Sequence, residues 1–282
     1  MAAVKMQIAY HDLADYGLPL VTPDQPEFVD LVADILSRPR RFGNCPPEEI
    51  PTAAVLLNRS GKTIVTLSFL WRFTDGEGHA PTSRFSNLGS GTQFDVLSGR
   101  TGVVRGQESL ILPGSKRLLT ERGMYGDNRD VLSPEEVPSG GGFLGGSSGS
   151  RGNGAPLSPT ELQLDIVIFE DGSYAGPDEW GMIAGLTEEV PQERALAEKI
   201  LTVLRGGASP GQVFEMLRPL ARMERVPSPP GIRGGYHRPL LKGFVHQAMH
   251  QLTYGSEGQL EDWLTLVTDS TPLALRPATP LA

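Results

Sequence analysis

The hydrophobic and polar positions of this chain alternate most regularly between residues 65 and 73. A period of two predicts a β-strand, and the aromatic residues on one side predict that this side faces a core. A short apolar run at residues 53–57 predicts an earlier strand, and the turn between the two contains Gly61, which can adopt a positive φ. The apolar positions of the long strand are Val65, Leu67, Phe69, Trp71 and Phe73.

Shorter segments predict further strands. Residues 4–10 alternate and are expected to add to the edge of a sheet. Residues 94–97, 109–112 and 116–119 follow the long strand, with a proline–glycine turn between the last two. We therefore expect the strands to be concentrated between residues 50 and 178.

Residues 138–156 form a segment rich in glycine and serine. Such a segment buries too little apolar surface to offset the entropy lost on ordering, which predicts a flexible excursion and a preferred site of proteolysis. An apolar segment at residues 162–169 predicts a strand shortly after it. We therefore expect the insert to interrupt a sheet and not to separate two domains.

Helical periodicity appears towards both ends of the chain. Near the N terminus, Asp24 and Glu27 form a capping-box pattern ahead of an apolar face at residues 28–36. Four more apolar stripes with helical spacing lie between residues 196 and 267, and several begin at a capping residue or a proline. The tail after Thr271 contains three prolines and is expected to be irregular.

The turns on either side of the long strand form a pattern of their own: an Asn-x-Ser-Gly-Lys turn, the apolar strand, then an aromatic-x-Asp ending before glycine. The residues in these positions are Asn58, Ser60, Gly61, Lys62, Phe73, Asp75 and Gly76, with Leu112, Pro113 and Gly114 at a later turn. Residues 53–76 and 112–114 thereby resemble bacterial immunoglobulin-like β-sandwich domains of the F-x-L-Y-D type. This resemblance implies a binding or structural module without catalytic residues, although a fold alone does not establish a function.

These patterns together predict an α+β protein: an immunoglobulin-like antiparallel β-sandwich with a glycine-rich insertion and a C-terminal helical region. We assign residues 1–49 to an N-terminal strand and helix, and residues 50–178 to the sandwich with its flexible insert 138–156. Residues 179–282 form a helical region that packs on the sandwich. Each helix carries one apolar stripe, and such a stripe needs a covering partner.

Charge narrows the choice of partners. The chain of 282 residues has a formal net charge of -8. Such a chain repels nucleic acid at long range, so we expect no nucleic-acid partner and favour another protein. No segment approaches the roughly 20 apolar residues of a membrane span, and residues 1–10 lack a signal-peptide pattern, which favours a cytoplasmic protein without a membrane partner. A single cysteine, Cys45, can form no intrachain disulfide.

Two histidines one helical turn apart come nearest to a catalytic motif. His246 and His250 have the spacing of a zinc-protease helix, but Gln247 replaces the glutamate that accepts the proton of zinc-bound water. Both histidines lie away from the apolar face of their helix and are expected to point to solvent or to a partner. Three residues could complete a metal site, and nothing selects among them: Glu257, Glu261 and His237.

Two other fragments resemble ligand loops but fail on spacing. Residues 61–63 match the end of a phosphate-binding loop, yet Leu56 occupies the required glycine position and a strand pattern follows. A tight turn between antiparallel strands is predicted there instead. Residues 171–176 match the start of a calcium loop, yet Ala175 and Met182 occupy two ligand positions, so we expect a turn that closes the preceding strand.

The sequence therefore assigns no catalytic, cofactor-binding or metal-binding residue. Cys45 lies in a proline-flanked loop pattern and is interpreted as a small structural residue. The leading hypothesis is a non-enzymatic protein-interaction or structural module. The alternative is a metal-dependent hydrolase that uses His246 and His250.

Overall fold

In a computed structural model of the protein, the described residues are 8–37, 45, 47–74, 82–88, 110–121, 123–125, 158–179, 181–222, 240–255 and 257–281. Residues 82–88 are described by their backbone alone. Two predicted segments, the strand at residues 94–97 and the insert 138–156, lie outside the described residues.

The described residues form ten strands, five α-helices and two short 3-10 helices. The strands are β1 (Ala9–His11), β2 (Leu20–Val21), β3 (Ala54–Leu57), β4 (Ile64–Thr74), β5 (Thr82–Leu88), β6 (Lys116–Thr120), β7 (Gly123–Tyr125), β8 (Ser158–Phe169), β9 (Ser173–Ala175) and β10 (Arg276–Pro277). The α-helices are α1 (Phe28–Ser37), α2 (Met182–Arg205), α3 (Pro210–Ala221), α4 (Leu240–Tyr254) and α5 (Glu257–Asp269). The 3-10 helices are Ala14–Tyr16 and Pro47–Thr52.

The two longest strands, β4 and β8, form the centre of a six-stranded sheet, the large sheet. They run antiparallel from the pair Ile64 and Phe169 to the pair Thr74 and Ser158. Both faces of β4 are almost entirely buried, so its polar positions are covered as well as its apolar ones. A slip of one residue would turn the aromatic side chains to the wrong face, and burial on both sides therefore fixes the register.

Shorter strands complete the edges of the large sheet. β5 pairs antiparallel with the second edge of β4. The second edge of β8 is shared, because β1 pairs with its first half in parallel and β9 pairs with its last residues in antiparallel fashion. β10 then adds in parallel to β9, with Arg276 opposite Ser173.

A separate four-stranded antiparallel sheet, the small sheet, has the order β2-β3-β6-β7. Its inner face shares one apolar core with the large sheet, to which it contributes Leu20, Leu56 and Leu119. Trp71 of β4 is fully buried in this core. Its Nε1 donates to the carbonyl oxygen of Thr120 at 2.9 Å, so a hydrogen bond joins the two sheets as well as apolar contact.

Helices cover the outer faces of both sheets. α1 packs Phe28, Val32 and Ile35 against the outer side of the small sheet. The first turns of α2 place Met182 and Leu186 on the outer side of the large sheet. The layers therefore follow the order helix, small sheet, large sheet, helix, and each apolar face is covered.

The last four helices also form a core of their own. Ser209 and Gln212 make a reciprocal capping box at the start of α3, with Pro210 in the first turn. Glu189 of α2 accepts a hydrogen bond from Leu241 N at 3.1 Å and so satisfies a free amide at the start of α4. The fully buried members of this core are Ala197, Ile200, Val213, Leu217, Val245, Ala248 and Leu264.

The prediction of an immunoglobulin-like antiparallel β-sandwich is wrong. The large sheet is mixed, because β1 and β10 run parallel to their neighbours, and the small antiparallel sheet is separate from it. Periodicity predicts that a segment is extended, but it does not encode which strand will lie beside it or in which direction. The parallel strands β1 and β10 come from the two end regions of the chain, and each pairs with a strand that is distant in sequence.

Two local predictions also need correction. Gly61, with a φ of 74°, does not close a hairpin, because β3 belongs to the small sheet and β4 to the large one. Asn58 holds this crossing, since its Nδ2 donates to the carbonyl oxygens of Lys62 and Ile111, both at 2.9 Å. The tail after Thr271 is irregular as expected, except that Arg276–Pro277 form the short strand β10.

Other predictions are confirmed. The long strand, the strand after the insert and the helices near both ends occur where the periodicity placed them. β8 pairs with β4, so the insert does interrupt a sheet. The predicted edge strand at residues 4–10 is described from residue 8 onward and joins the edge of β8 as β1. The division into residues 1–49, 50–178 and 179–282 stays a prediction.

Cleavage within the insert should leave the two parts of the chain associated. A protease site engineered into residues 138–156 separates β4 from β8 along the chain, but the ten residue pairs between them and the shared core remain. We expect both fragments to elute together in size-exclusion chromatography in native buffer, like the uncut control, and to separate in denaturant. Separation in native buffer would contradict this account of the large sheet.

Candidate functional site

The best candidate for a binding site is the β9 edge, defined as the backbone of residues 172–175 with the side chains around it. β8 turns into β9 through a tight turn in which Gly172 N donates to the carbonyl oxygen of Phe169 at 2.9 Å. Gly172 has a φ of 78°, a conformation that favours glycine. Asp171 accepts a hydrogen bond from Ser173 N at 2.9 Å, which fixes the first residue of β9.

A charged pair joins this turn to the start of β4. Lys62 Nζ lies 2.8 Å from Asp171 Oδ2 and donates to Ser173 Oγ at 3.0 Å. Burial by itself raises the pKa of Asp171, but the hydrogen bonds from Lys62 and Ser173 outweigh burial and hold this pKa well below its usual range. The carboxylate is therefore charged throughout the physiological pH range. Both side chains are more than one third exposed, so the pair positions the turn more than it stabilises the fold.

The outer side of β9 is occupied by the C-terminal segment of the same chain. Arg276 N donates to the carbonyl oxygen of Gly172 at 3.1 Å, and Ala278 N donates to that of Tyr174 at 2.7 Å. The two acceptors belong to every second residue, Gly172 and Tyr174, as expected where a parallel strand pairs with this edge. The edge is thus a backbone-binding surface with an occupant already in place.

The side chains of the occupying segment meet an apolar floor on the outer face of the large sheet. Leu273 and Leu275 pack there two residues apart, which is the side-chain period of a strand. Strand addition elsewhere in proteins takes its affinity from main-chain hydrogen bonds and its selectivity from pockets for alternate side chains. The β9 edge offers main-chain acceptors and an apolar floor that receives alternate side chains. The buried residues of the floor are Val65, Ile166, Ile168, Met182 and Leu186.

A second polar cluster lies deeper on the same outer face, around Asp165. This residue is fully buried, accepts a hydrogen bond from Glu179 N at 2.8 Å and lies 3.4 Å from Ser68 Oγ. Burial raises the pKa of Asp165 to about 6, and the nearby carboxylates of Asp178 and Glu179 add to the rise. A buried carboxyl group with a raised pKa is a candidate for proton transfer.

The contacts around Asp165 indicate that it positions the residues that lead into α2. Its carbonyl oxygen accepts from Asp178 N at 3.1 Å, and a Cβ on Gly176 would lie only 2.2 Å from that oxygen. Asp178 in turn accepts from Met182 N at 2.7 Å and Ile183 N at 3.0 Å at the start of α2. Because Asp165 is fully buried, it offers no contact to a substrate in this structure, and the cluster anchors α2 to β8.

A network of charged side chains surrounds this anchor at the surface. Arg72 Nη2 contacts both oxygens of Glu179, at 2.8 and 3.0 Å, and Arg72 Nε lies 3.2 Å from Glu161. Gln163 donates to Glu179 at 3.0 Å. The network joins β4, β8 and the residues before α2, and its residues bind one another in the described structure.

The two histidines singled out in the sequence lie on α4 and are exposed, as predicted. The ring of His250 lies 4.9 Å from the ring of Tyr254, which is 78% exposed. The described residues hold no group of three or more His, Cys, Asp or Glu side chains that could bind a metal ion, and His237 lies outside them. The structure therefore brings no third ligand to His246 and His250 from the described part of the chain.

The remaining sequence candidates take structural places. Residues 61–63 lead into β4, so a strand follows this turn, as predicted. Residues 171–176 form the turn and the short strand that follow β8. Cys45 is buried beside α1.

No protein-family model, curated protein or solved structure matches this chain. Its class is therefore defined by the geometry alone: a mixed large sheet with a small antiparallel sheet, helices on both outer faces and an edge held by the C-terminal segment. None of the described helices has the length and apolar content needed to span a membrane.

The sequence did not predict the β9 edge, because its parts come from three distant places. Lys62, the turn at residues 170–172 and the segment at residues 273–278 meet only in the folded chain. One signal was available: the apolar residues at positions 273 and 275 alternate with their neighbours, although the surrounding prolines pointed to irregular chain. Asp165 gave another signal, since it is a lone charge within an apolar strand pattern.

Replacing the buried carboxylate should stabilise the protein at neutral pH. The folded-state pKa of Asp165 is raised, so its favourable contribution is present below about pH 4 and is lost as the pH rises to about 6. Asn keeps an acceptor for Glu179 N and carries no charge. We expect Asp165→Asn to raise the free energy of unfolding above pH 6 by about 1–2 kcal/mol and to change it little below pH 4. Urea unfolding across this pH range measures both values.

The exposed Asp262→Asn on α5 is the matched control, because it removes the same charge from the surface. It should change the free energy of unfolding by less than about 0.5 kcal/mol at every pH. An Asp165→Asn protein that is less stable than the wild type at pH 7 would show that the charged carboxylate holds α2 in place more strongly than burial disfavours it.

Proposed function

We propose that this protein is a non-catalytic interaction module that binds an extended segment of a partner protein at the β9 edge. One observation carries the proposal: two separate segments of this chain, β1 and β10, already join the large sheet in parallel through backbone pairing. A sheet that accepts such segments from its own chain presents the same hydrogen-bonding groups to a segment of another.

The chemistry of the edge supports a protein as the partner. The carbonyl oxygens of Gly172 and Tyr174 accept amide N–H groups, which a polypeptide supplies at regular spacing. The apolar floor accepts alternate aliphatic side chains. The carboxylate of Asp171 lies 3.9 Å from Arg276 of the occupying segment. The net charge of -8 disfavours nucleic acid, whose phosphates would meet a negative field.

The alternative function, a metal-dependent hydrolase, has no observation in its favour among the described residues. The hydrolase alternative can nevertheless be tested directly. Purified protein is screened against ester, peptide and phosphoester substrates with and without added Zn²⁺. Turnover that His246→Ala or His250→Ala abolishes would favour the hydrolase.

Selection from a random peptide library tests the proposed function. The full-length protein is immobilised, enriched peptides are synthesised, and hydrogen exchange followed by mass spectrometry locates the amides that each peptide protects. We expect peptides with alternating apolar residues. We expect changes in exchange confined to residues 172–175, to the C-terminal segment at residues 273–281 that occupies the edge, and to the floor beneath. Scrambled versions of the same peptides should protect nothing.

Two results would contradict the proposal. The first is enrichment of peptides that protect only the helical core of α2–α5. The second is reproducible catalytic turnover in a protein that enriches no peptide.

A further inference from the structure

We infer that the C-terminal segment, residues 273–281, is a displaceable occupant of the β9 edge and that it blocks the site until a partner segment of similar pattern replaces it. This inference rests on the proposed function and adds to it a regulatory element and a recognition pattern. It follows from the contacts of the segment, from the shape of the edge and from comparison with β1.

The occupant pairs with β9 over a short length, with Arg276 opposite Ser173 and Pro277 opposite Tyr174. Arg276 N and Ala278 N donate to the carbonyl oxygens of Gly172 and Tyr174, and Pro277 between them has no N–H to donate. Proline within a sheet is typical of an edge strand, because its neighbour on that side is solvent. Leu281 N donates to the carbonyl oxygen of Asp15 at 2.7 Å and holds the end of the segment. The segment can therefore open by breaking these bonds while the rest of the large sheet stays paired.

No side chain of the C-terminal segment, residues 273–281, is fully buried. Arg276 is 68% exposed and its Nη2 lies 3.9 Å from Asp171 Oδ2, so this ion pair is screened by solvent. Leu281 is 55% exposed. Leu273 and Leu275 are partly buried on the floor, and they are the main apolar anchors of the segment.

The N-terminal strand β1 provides an internal comparison. Tyr10 and Ile8 pack against the core shared by the two sheets. Tyr10 Oη donates to the carbonyl oxygen of Thr52 at 3.3 Å, and burial, with a smaller contribution from Asp24, raises the pKa of Tyr10 to about 12. β1 is thus anchored against the core by two large side chains, whereas the C-terminal segment places only the small Ala278 there and its larger anchors, Leu273 and Leu275, on the outer face. Of these two parallel strands, β10 is the one that a competitor can replace.

The shape of the edge shows that it is built for close contact with a backbone. A Cβ on Gly172 would lie 2.7 Å from the carbonyl oxygen of Ala274, closer than real Cβ contacts allow. Glycine at this position therefore serves both the turn and the approach of the added segment.

The bound segment also defines the partner. Its pattern is two aliphatic residues separated by one residue, then a basic residue beside Asp171, then a small residue at the position of Ala278. We therefore expect the partner to supply an extended, unstructured segment with this pattern.

Hydrogen exchange of the unmodified full-length protein gives the first test. If the occupant opens locally, the amides of Arg276 and Ala278 exchange at least about tenfold faster than the paired amides of β4 and β8, which exchange through larger openings. Equal, slow exchange in the two groups would overturn the inference, because the segment would then be a permanent part of the sheet.

Peptide binding gives the second test. A fluorescent peptide with the sequence of residues 271–281 is titrated into the wild type and into Leu275→Ser, and its anisotropy is measured. Leu275→Ser weakens the occupant within the chain but leaves the edge intact, so we expect it to bind the peptide at least about tenfold more tightly than the wild type. The exposed Thr279→Ser is the matched control and should bind like the wild type.

Gly172→Ala, added to Leu275→Ser, identifies the surface that the peptide uses. The new methyl group obstructs the backbone approach, so the double variant should lose most of the gained affinity. Equal affinity of the wild type and Leu275→Ser, with both folded by circular dichroism, would overturn the inference. If Leu275→Ser does not fold, the exchange rates of the wild type decide the question alone. Library peptides that bind the β9 edge with equal affinity in the wild type and in Leu275→Ser would leave the proposed function standing and remove this inference.

Discussion

The pairing of β4 with β8 is the constraint on which the rest of the structure depends. These strands are long, antiparallel and covered on both faces, so they divide the molecule into an inner core and an outer layer. The inner side meets the small sheet through a shared core and the hydrogen bond from Trp71 to Thr120. The outer side receives α2, and the free edges of the pair receive β5, β1 and β9.

This arrangement explains why a strong anchor and an exchangeable strand lie on the same face of one sheet. Asp165, near the middle of β8, is buried and hydrogen-bonded, and it fixes the residues that lead into α2. A few residues later β8 ends, and the tight turn at Gly172 sends β9 back along its edge. β9 is short and pairs only with the last residues of β8, so its outer edge is where an added strand can bind and dissociate.

The sequence predicted local structure well and spatial arrangement poorly, for a physical reason. Apolar spacing shows which side of a strand or helix is buried, and this sufficed for β4, β8 and the helices. It says nothing about direct neighbours, so the parallel additions of β1 and β10 and the separate small sheet were not foreseen. The candidate site depends on such neighbours: Lys62, Asp171 and Arg276 come together through folding alone. The exposure of His246 and His250 was predictable because it depends only on the periodicity of one helix.

A disulfide across the edge tests the central claim most directly. Ser173 and Arg276 are opposite each other in the parallel register, so Ser173→Cys with Arg276→Cys should form a disulfide that locks the C-terminal segment onto β9. The measurement is the affinity of the oxidised and reduced protein for the labelled peptide of residues 271–281, with each single-cysteine variant as a control. The account predicts that oxidation abolishes binding and that reduction restores it. Equal binding in the oxidised and reduced states, with the disulfide confirmed by mass spectrometry, would contradict it.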